Sequence, residues 1–227
     1  MVLGVIPARG GSKGVKNKNI KNINGKPLIN YTIEEAQKSK IDDLIVSTDS
    51  ELISNLAISK GVIVPFVRPS ALASDSARSI DVINHALIEM ERLNSKVYDY
   101  VIMLQPTTPF RKYTDIDNCI GLIKNNRQAD SVISVVDVQG NHPARMKYIK
   151  DGKLIDPIFC EETENQNRQE LTPMYIRNGA IYLSSRETIL KKSFKGNICL
   201  AYEMDKFSSI NIDTIEDFQY AKFLSKK

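Results

Sequence analysis

A loop rich in glycine and basic residues follows the first apolar run of the chain. Residues 2–6 read VLGVI, and residues 7–21 read PARGGSKGVKNKNIK. Glycines let the backbone turn its N–H groups toward an anion. Arginine can bind phosphate with two hydrogen bonds, and lysine adds a mobile charge. Because ligands of parallel sheets bind beyond the carboxyl ends of the strands, this loop is predicted to cradle a polyphosphate.

The loop matches neither of two familiar phosphate-binding motifs. The P-loop places its lysine after the last glycine and before Ser or Thr, whereas Lys13 precedes Gly14. Gly10 and Gly11 are adjacent, which does not fit the dinucleotide fingerprint. A solvated basic loop is the alternative interpretation of the charge. A nucleic-acid patch is disfavoured because no aromatic residue is interleaved with the lysines.

Composition limits the classes of protein to which the chain can belong. The 227 residues are 42% hydrophobic and 26% charged, which is typical of a globular protein, and the net charge of +4 does not indicate a nucleic-acid partner. The three cysteines are scattered, which favours free thiols in a reducing compartment. No apolar run approaches the roughly 18 residues of a membrane span. We therefore expect a cytoplasmic protein that does not contact membranes.

Strands and helices are predicted to alternate over the first two-thirds of the chain. The apolar runs 2–6, 43–49, 99–104 and 131–138 are predicted as strands, with a shorter run at 62–67 that Pro65 interrupts. Helices are predicted over 27–40, 51–61, 79–94, 114–127 and the C-terminal segment, with Thr114 and Thr214 as N-caps. This order predicts an α/β fold in three layers, a mostly parallel sheet with helices on both faces.

The alternation stops at about residue 139. The segment 139–175 is polar and rich in turn residues, without a clear period. A segment of this length inside a compact protein is more often a functional insertion than a simple connection.

Seven segments, taken in order, give the chain a family resemblance. They are IPARGGSKGVKNKNI, GKPLINYTI, IVSTDSE, VPFVRPSALASDSARSIDVINHAL, LQPTTPFR, RQELTPMYIRNGAIYL and SSINIDTIEDF. Together they reach from residue 3 to about residue 224, and they resemble the acylneuraminate cytidylyltransferases, also called CMP–sialic acid synthetases. The resemblance implies one Rossmann-like nucleotidyltransferase domain over residues 1–227. It also implies transfer of CMP from CTP to the anomeric hydroxyl of a nine-carbon 2-keto sugar acid, with release of pyrophosphate.

The resemblance assigns residues to the nucleotide and to a metal ion. Those matched to CTP are Arg9, Lys13, Lys18, Asn19, Arg68, Ala77 and Ser79. An alternative for Ser79 is that it only caps the following helix. The family's Asp-x-Asp pair reads Asn211-x-Asp213 here, and both residues are predicted to face Mg²⁺ (or Mn²⁺) from one side of a strand. Arg9, Lys18 and Asp213 are expected to carry the chemistry.

A second group of residues is assigned to the sugar acid. It comprises Gln105, Lys147, Arg168, Gln169, Arg177, Tyr182 and Phe194, with Arg145 as an alternative to Lys147 and core packing as an alternative for Phe194. The segment 139–175 resembles the family's dimerisation arm, so Arg168 and Gln169 are expected to serve the partner's site in a homodimer.

Several other functions remain open at this stage. The acceptor could be legionaminic, pseudaminic or 3-deoxy-octulosonic acid. The loss of one metal carboxylate at Asn211 would also suit a non-catalytic nucleotide- or sugar-binding protein. An RNA-binding protein that uses the basic loop is the least favoured, because no wider basic face is evident.

Overall fold

The protein is described by a computed structural model that covers residues 1–11 and 14–225. The strands are β1 Val2–Pro7, β2 Asn22–Ile23, β3 Lys26–Pro27, β4 Asp43–Ser47, β5 Tyr100–Leu104, β6 Ser131–Asp137, β7 Tyr148–Lys150, β8 Lys153–Ile155, β9 Tyr175–Ser185 and β10 Cys199–Glu203. The helices are α1 Leu28–Gln37, α2 Glu51–Ser59, α3 Ser79–Asn94, α4 Tyr113–Asn125, α5 Arg186–Leu190 and α6 Ile215–Leu224. Apart from the run 62–67, the predicted strands and helices of the first two-thirds lie within three residues of these bounds.

A six-stranded sheet with the strand order β10-β6-β9-β5-β1-β4 forms the centre of the fold. β1 pairs in parallel with β4 and β5, and β6 pairs in parallel with β10. β9 runs antiparallel between β5 and β6. The sheet is therefore mostly parallel, as predicted, and the carboxyl ends of β1, β4 and β5 lie along one edge.

The apolar residues of β1 alternate between two cores, one on each face of the sheet. Val2 and Ile6 pack with α1 and α4, whereas Leu3 and Val5 pack with α3 and α5. The predicted stripe on α3, which includes Ile83 and Met90, is fully buried in the second core. Helices thus cover both faces, which confirms the three-layer prediction.

Two local predictions are wrong. Residues 62–67 make only the isolated bridges Ile45–Ile63 and Thr48–Val67, so they extend the edge beside β4 without forming a regular strand. Helix α4 begins one residue before Thr114, and Asp115 accepts the Lys112 backbone N–H at 2.8 Å. An acidic residue inside the first turn, rather than Thr114, therefore holds this helix end.

The terminal helix and the segment 139–175 complete the fold. Thr214 and Asp217 form the predicted capping box at the start of α6. Residues 139–175 form short 3₁₀ turns and the β7–β8 hairpin. Within residues 1–11 and 14–225, none of the helices is both long and apolar enough to cross a membrane.

Candidate active site

A cavity of about 540 Å³ opens at the carboxyl ends of β1 and β5. We call it the first cavity. Its lining includes nine residues that the sequence assigned to substrates or metal: Arg9, Lys18, Asn19, Arg68, Ala77, Ser79, Gln105, Asn211 and Asp213. Lys13, the remaining nucleotide prediction, lies outside the described residues. Segments far apart in the chain therefore meet where a ligand of a parallel sheet is expected.

The basic loop after β1 is fixed against the segment that precedes α6. The Lys18 ammonium donates to the Ile212 carbonyl at 2.6 Å and lies 3.4 Å from Asp213 Oδ1. A Cβ on Gly14 would overlap the carbonyl oxygen of Asp213. Glycine at residue 14 is therefore required for this close approach, and Lys18 reaches the cavity beside a carboxylate.

Arg9 joins two walls of the first cavity. Its guanidinium forms an ion pair with Asp75 at 2.9 Å, and its backbone carbonyl accepts a hydrogen bond from the Asn19 amide at 3.0 Å. The Gly10 N–H donates to Asp49 Oδ1 at 3.0 Å. An anion that binds Arg9 must therefore compete with the Asp75 carboxylate, which lines the same cavity.

Arg68 supplies a buried positive charge beside the end of β4. Its side chain is 4% exposed, and it donates from Nε to the Ser47 hydroxyl at 3.1 Å and from Nη2 to the Ser47 carbonyl. Burial lowers the pKa of Arg68 to about 10, against the effect of the nearby Asp49 carboxylate. The guanidinium stays charged at neutral pH, and its hydrogen bonds to Ser47 hold it in place.

Ser79 and Ala77 stand at the start of α3. The N-cap position is Arg78 and no side chain caps the helix, so the alternative in which Ser79 caps it is wrong. Ser79 and Val82 line the first cavity, so the first turn of α3, whose leading N–H groups have no partner within the helix, borders it. This end of the helix can receive an anionic or hydrogen-bonding group of a ligand.

Gln105 follows β5 and is held close to β9. Gly179 has φ +78°, and a Cβ there would lie 2.9 Å from Gln105 Oε1. The neighbouring Asn178 is buried and bonded to Ser134 at 2.6 Å and to Ser209 at 2.9 Å. These bonds accompany a register shift in β6 between Ile133 and Val135. The irregular β6–β9 pairing thus sets the position of the Gln105 side chain.

Asn211 and Asp213 lie in a loop, so the prediction that they share one face of a strand is wrong. They still meet, because the Asn211 amide donates to Asp213 Oδ2 at 2.5 Å. Within the described part of the chain, His, Cys, Asp and Glu form no group of three that could hold a metal ion. One exposed carboxylate fits a Mg²⁺ ion whose other ligands are phosphate oxygens and water.

A second cavity of about 680 Å³ adjoins the first at Ser79, which lines both. Two predicted acceptor residues, Arg177 and Phe194, line it together with apolar side chains of β6 and β10. The Tyr182 ring packs at 5.3 Å on Phe194, and burial raises the pKa of the Tyr182 hydroxyl. Phe194 borders the second core, as the core-packing alternative predicts, and it also lines the cavity.

The remaining acceptor residues lie in the segment 139–175 and line neither cavity. Lys147 forms an ion pair with Asp156 at 2.5 Å, and Arg168 lies 3.9 Å from Asp137. Gln169 follows Arg168 in a 3₁₀ turn. Arg145, the alternative to Lys147, donates to the Gln166 carbonyl at 2.9 Å. Within this one chain, the structure does not bring them to the first cavity.

Sequence reasoning missed several residues around the first cavity. Asp75 pairs with Arg9, Asp49 accepts from the basic loop, and Pro106 and Thr107 line the wall after β5. Asp49 carried a usable signal, since an acid at the carboxyl end of the predicted strand 43–49 lies at the ligand-binding edge. The sequence contains no signal for Asp75, because its ion pair with Arg9 depends on how the loop after Arg68 folds back over Arg9.

The chain is similar in sequence to two curated proteins, with nearly equal sequence identity to each. The chain is 36% identical over 228 residues to the N-acylneuraminate cytidylyltransferase of Escherichia coli O18:K1:H7, and the match covers 100% of this chain and 52% of that protein. It is 34% identical over 223 residues to the CMP-N,N'-diacetyllegionaminic acid synthase of Legionella pneumophila, with 96% of this chain and 93% of that protein covered. The chain spans about half the length of the N-acylneuraminate cytidylyltransferases that it matches.

A solved structure has the same fold. CMP:2-keto-3-deoxy-manno-octonic acid synthetase in complex with CTP superposes with a TM-score of 0.72 at 14% identity, over 99% of this chain and 98% of the other. The sequence profile of the family described as cytidylyltransferase matches residues 3–226. With the cavity and both relatives in agreement, the chain belongs to the cytidylyltransferase family.

Proposed function

We propose that this protein transfers CMP from CTP to the anomeric hydroxyl of a nonulosonic acid and releases pyrophosphate. The observation that carries the proposal is the first cavity, in which Arg9, Lys18 and Arg68 surround one volume with Asp213. The names of its relatives support the nucleotide and the acceptor class. We infer that residues 1–227 act as one nucleotidyltransferase domain.

The chain's own residues would act mainly by positioning and charge. Attack on the α-phosphorus builds negative charge on the phosphoryl oxygens and on the departing pyrophosphate. Lys18 is held by the Ile212 carbonyl, and Arg9 is tied through its backbone to Asn19, so both cations are placed before the ligand arrives. Arg68 adds a fixed charge, and Ser79 with Ala77 would line the place of the nucleoside.

Asp213 is the residue that would hold a divalent ion. Its carboxylate is exposed and oriented by the Asn211 amide, which would have to turn over to offer its own oxygen as a ligand. Mg²⁺ or Mn²⁺ bound there would neutralise phosphate charge and favour departure of pyrophosphate. The Lys18 ammonium lies 3.4 Å from Oδ1 of the same carboxylate.

We place the acceptor between the two cavities. Gln105 would bond to its hydroxyls from the first cavity, and Arg177 is suited to its carboxylate. Phe194, on which the Tyr182 ring packs, would give the second cavity an apolar surface that suits an N-acyl group. Legionaminic, pseudaminic and 3-deoxy-octulosonic acid remain alternative acceptors.

We further propose a homodimer in which residues 139–175 reach the partner's site. The hairpin and the turn after it expose many apolar side chains to solvent, namely Met146, Tyr148, Ile149, Leu154, Ile155, Ile158 and Phe159. Contiguous exposed apolar surface of this kind marks an interface. A second copy of the chain would cover it and bring Lys147, Arg168 and Gln169 to the neighbouring cavity.

The proposed reaction belongs in the cytoplasm. Cys119, Cys160 and Cys199 are free in the structure, in agreement with the sequence expectation. Free thiols persist where the medium is reducing.

Pyrophosphate release tests the proposed function. The protein is mixed with CTP, Mg²⁺ and a panel of 2-keto sugar acids, with ATP, GTP and UTP as nucleotide controls. We expect release with CTP and with at least one nonulosonic acid. Binding of CTP without release in any mixture would contradict the proposal and favour a non-catalytic binding protein.

Mixed inactive variants test the shared site. Arg9→Ala and Arg168→Ala are each expected to lose turnover, since they remove different charges from one composite site. In a hybrid dimer one of the two sites carries neither substitution, so the mixture should recover about a quarter of wild-type activity by random exchange. Absence of recovery, with subunit exchange shown by native mass spectrometry, would contradict the arrangement.

A further inference from the structure

Arg111 is a fully buried cation behind the first cavity. The side chain is 1% exposed and lies at the end of the turn that follows β5. Its Nη2 donates to the carbonyls of Gln105 and Thr108, the latter at 2.6 Å, and contacts the Thr32 hydroxyl on α1 at 3.3 Å. One guanidinium nitrogen therefore ties both ends of the Gln105–Thr108 turn to a helix of the core.

The burial of the Arg111 charge is compensated in part, by the hydrogen bonds of Nη2 and by the more distant Asp115 carboxylate. In the parts of the chain that the structure describes, no carboxylate lies within ion-pair distance of it, and Nε and Nη1 have no hydrogen-bond partner. Burial lowers the pKa of Arg111 to about 9, which leaves the group charged at neutral pH. A buried charge without a counter-ion costs stability, so stability alone does not explain this residue.

The turn that Arg111 holds connects the two halves of the site. Gln105, Pro106 and Thr107 line the first cavity on its other side. The Thr107 carbonyl accepts the Ile212 N–H at 2.8 Å, and the Ile212 carbonyl accepts from the Lys18 ammonium at 2.6 Å. A displacement of the turn would therefore move Gln105 and, through Ile212, the Lys18–Asp213 pair.

We propose that Arg111 is a positioning residue. It touches no substrate, but it fixes the Gln105–Thr108 turn and the Thr107–Ile212 hydrogen bond in the positions that both substrates require. The inference rests on the proposed function for its kinetic consequence. Its structural consequence, the order of the turn, is independent of any activity.

The test compares three variants of the full chain. Arg111→Met removes the donors and the charge, and Arg111→Lys keeps the charge but replaces the planar fork with one ammonium. Met90→Ala is the control, because Met90 is fully buried on α3 in the second core, on the opposite face of the sheet from α1. Melting temperature, kcat, KM and amide hydrogen exchange are measured for each, with the backbone N–H groups of Thr108 and Ile212 as reporters.

We expect kcat to fall about thirtyfold in Arg111→Met and about fivefold in Arg111→Lys, as for misplaced groups in other sites. Met90→Ala should keep kcat within about twofold of the wild type even though it also lowers the melting temperature. In Arg111→Met the hydrogen-exchange rate of the Ile212 amide should rise about tenfold relative to the rates of the core amides of β1. In Met90→Ala the ratio of these rates should stay as in the wild type.

Each other outcome has a definite meaning. If Arg111→Met turns over like Met90→Ala, or if Ile212 exchange stays in step with the core, the positioning role is overturned. If Arg111→Met does not fold, Arg111→Lys decides, and wild-type kcat and exchange in that variant overturn the role. If the wild type releases no pyrophosphate, the proposed function fails, and the exchange at Ile212 still decides the role of Arg111.

Discussion

The two ends of the central sheet differ in the partners of their charged side chains. At the end where β4 and β5 begin, Arg186 binds Glu91 with two hydrogen bonds of 2.8 and 2.9 Å, and the Tyr98 hydroxyl donates to Asp43 at 2.7 Å. At the carboxyl end, Arg68 is buried against backbone and hydroxyl oxygens and forms no ion pair with the residues that the structure describes. Lys18 has its carboxylate, Asp213, at 3.4 Å.

This difference distinguishes charged side chains that stabilise the fold from charged side chains that are available to bind a ligand. A well-formed pair such as Glu91–Arg186 is satisfied by the protein itself. At the carboxyl end Arg9 pairs with Asp75 and Lys18 lies beside Asp213. Both carboxylates line the first cavity, where a polyanionic ligand can compete with them for the cations. Changes at the carboxyl end should therefore affect activity far more than stability, and changes at the other end should do the reverse.

The largest effect is expected from Asp213→Asn. The change removes the carboxylate that would hold the metal ion, and we expect turnover to fall about a thousandfold with little change in melting temperature. Glu216→Gln, an exposed acid in the first turn of α6, is the control and should be near wild type. Pyrophosphate release across a Mg²⁺ titration provides the measurement. Substantial turnover in Asp213→Asn would remove this residue from the metal site.

A smaller loss is expected from Gly14→Ala. The added Cβ would overlap the Asp213 carbonyl, so the basic loop and the loop before α6 must separate. Misplacement of this order costs about a hundredfold in turnover. Gly11→Ala is the matched control in the same loop, because a Cβ there meets no atom within 4 Å. Equal activity of the two variants would show that the close approach is unimportant.

Sequence reasoning identified the layers and the regular elements because these depend on local pattern. The stripe on α3 and the apolar runs of β1 and β5 are local signals. The place of β9 between β5 and β6 is not local, since any order of the strands would leave the sequence pattern unchanged. The failure at Thr114 has the same origin as many boundary errors, because Asp115 was an equally good capping residue.

For the candidate site, the residues were predictable but their contacts were not. Nine predicted residues line the first cavity, and the family resemblance selected them. The Arg9–Asp75 pair and the overlap at Gly14 depend on how two loops fold onto each other. The segment 139–175 offers exposed apolar side chains with no covering surface in one chain, so its predicted role depends on a partner.

An intermediate effect is expected from Gly179→Ala. The change combines strain at φ +78° with a contact of 2.9 Å to Gln105 Oε1. Gly152→Ala shares the strain, with φ +75°, but its Cβ meets no atom within 4 Å. Both variants should lose about 1 kcal/mol of unfolding free energy. Only Gly179→Ala should raise the KM for the acceptor, about tenfold. A similar KM in both variants would show that Gly179 is not needed to position the Gln105 side chain.

The smallest effect is expected at the opposite end of the sheet, from Glu91→Gln. The hydrogen bonds from Arg186 lower the pKa of the Glu91 carboxyl below its ordinary value. A lowered pKa in the folded state stabilises the protein above the unfolded pKa, and the stabilisation is lost as the pH falls through the folded pKa. At pH 7 the variant should therefore unfold with about 1 kcal/mol less free energy, and at acidic pH the difference should shrink.

Chemical denaturation of Glu91→Gln and wild type at pH 7 and in the acidic range measures this difference, with kcat at pH 7 expected to be unchanged. Glu89→Gln is the matched control, because Glu89 pairs with the more exposed Arg92 on the same helix. The smaller loss expected there follows from solvent screening. If Glu91→Gln lowers kcat, or raises the KM for the acceptor as strongly as Gly179→Ala, charges at this end also serve the reaction, and the proposed difference in role between the two ends of the sheet is wrong.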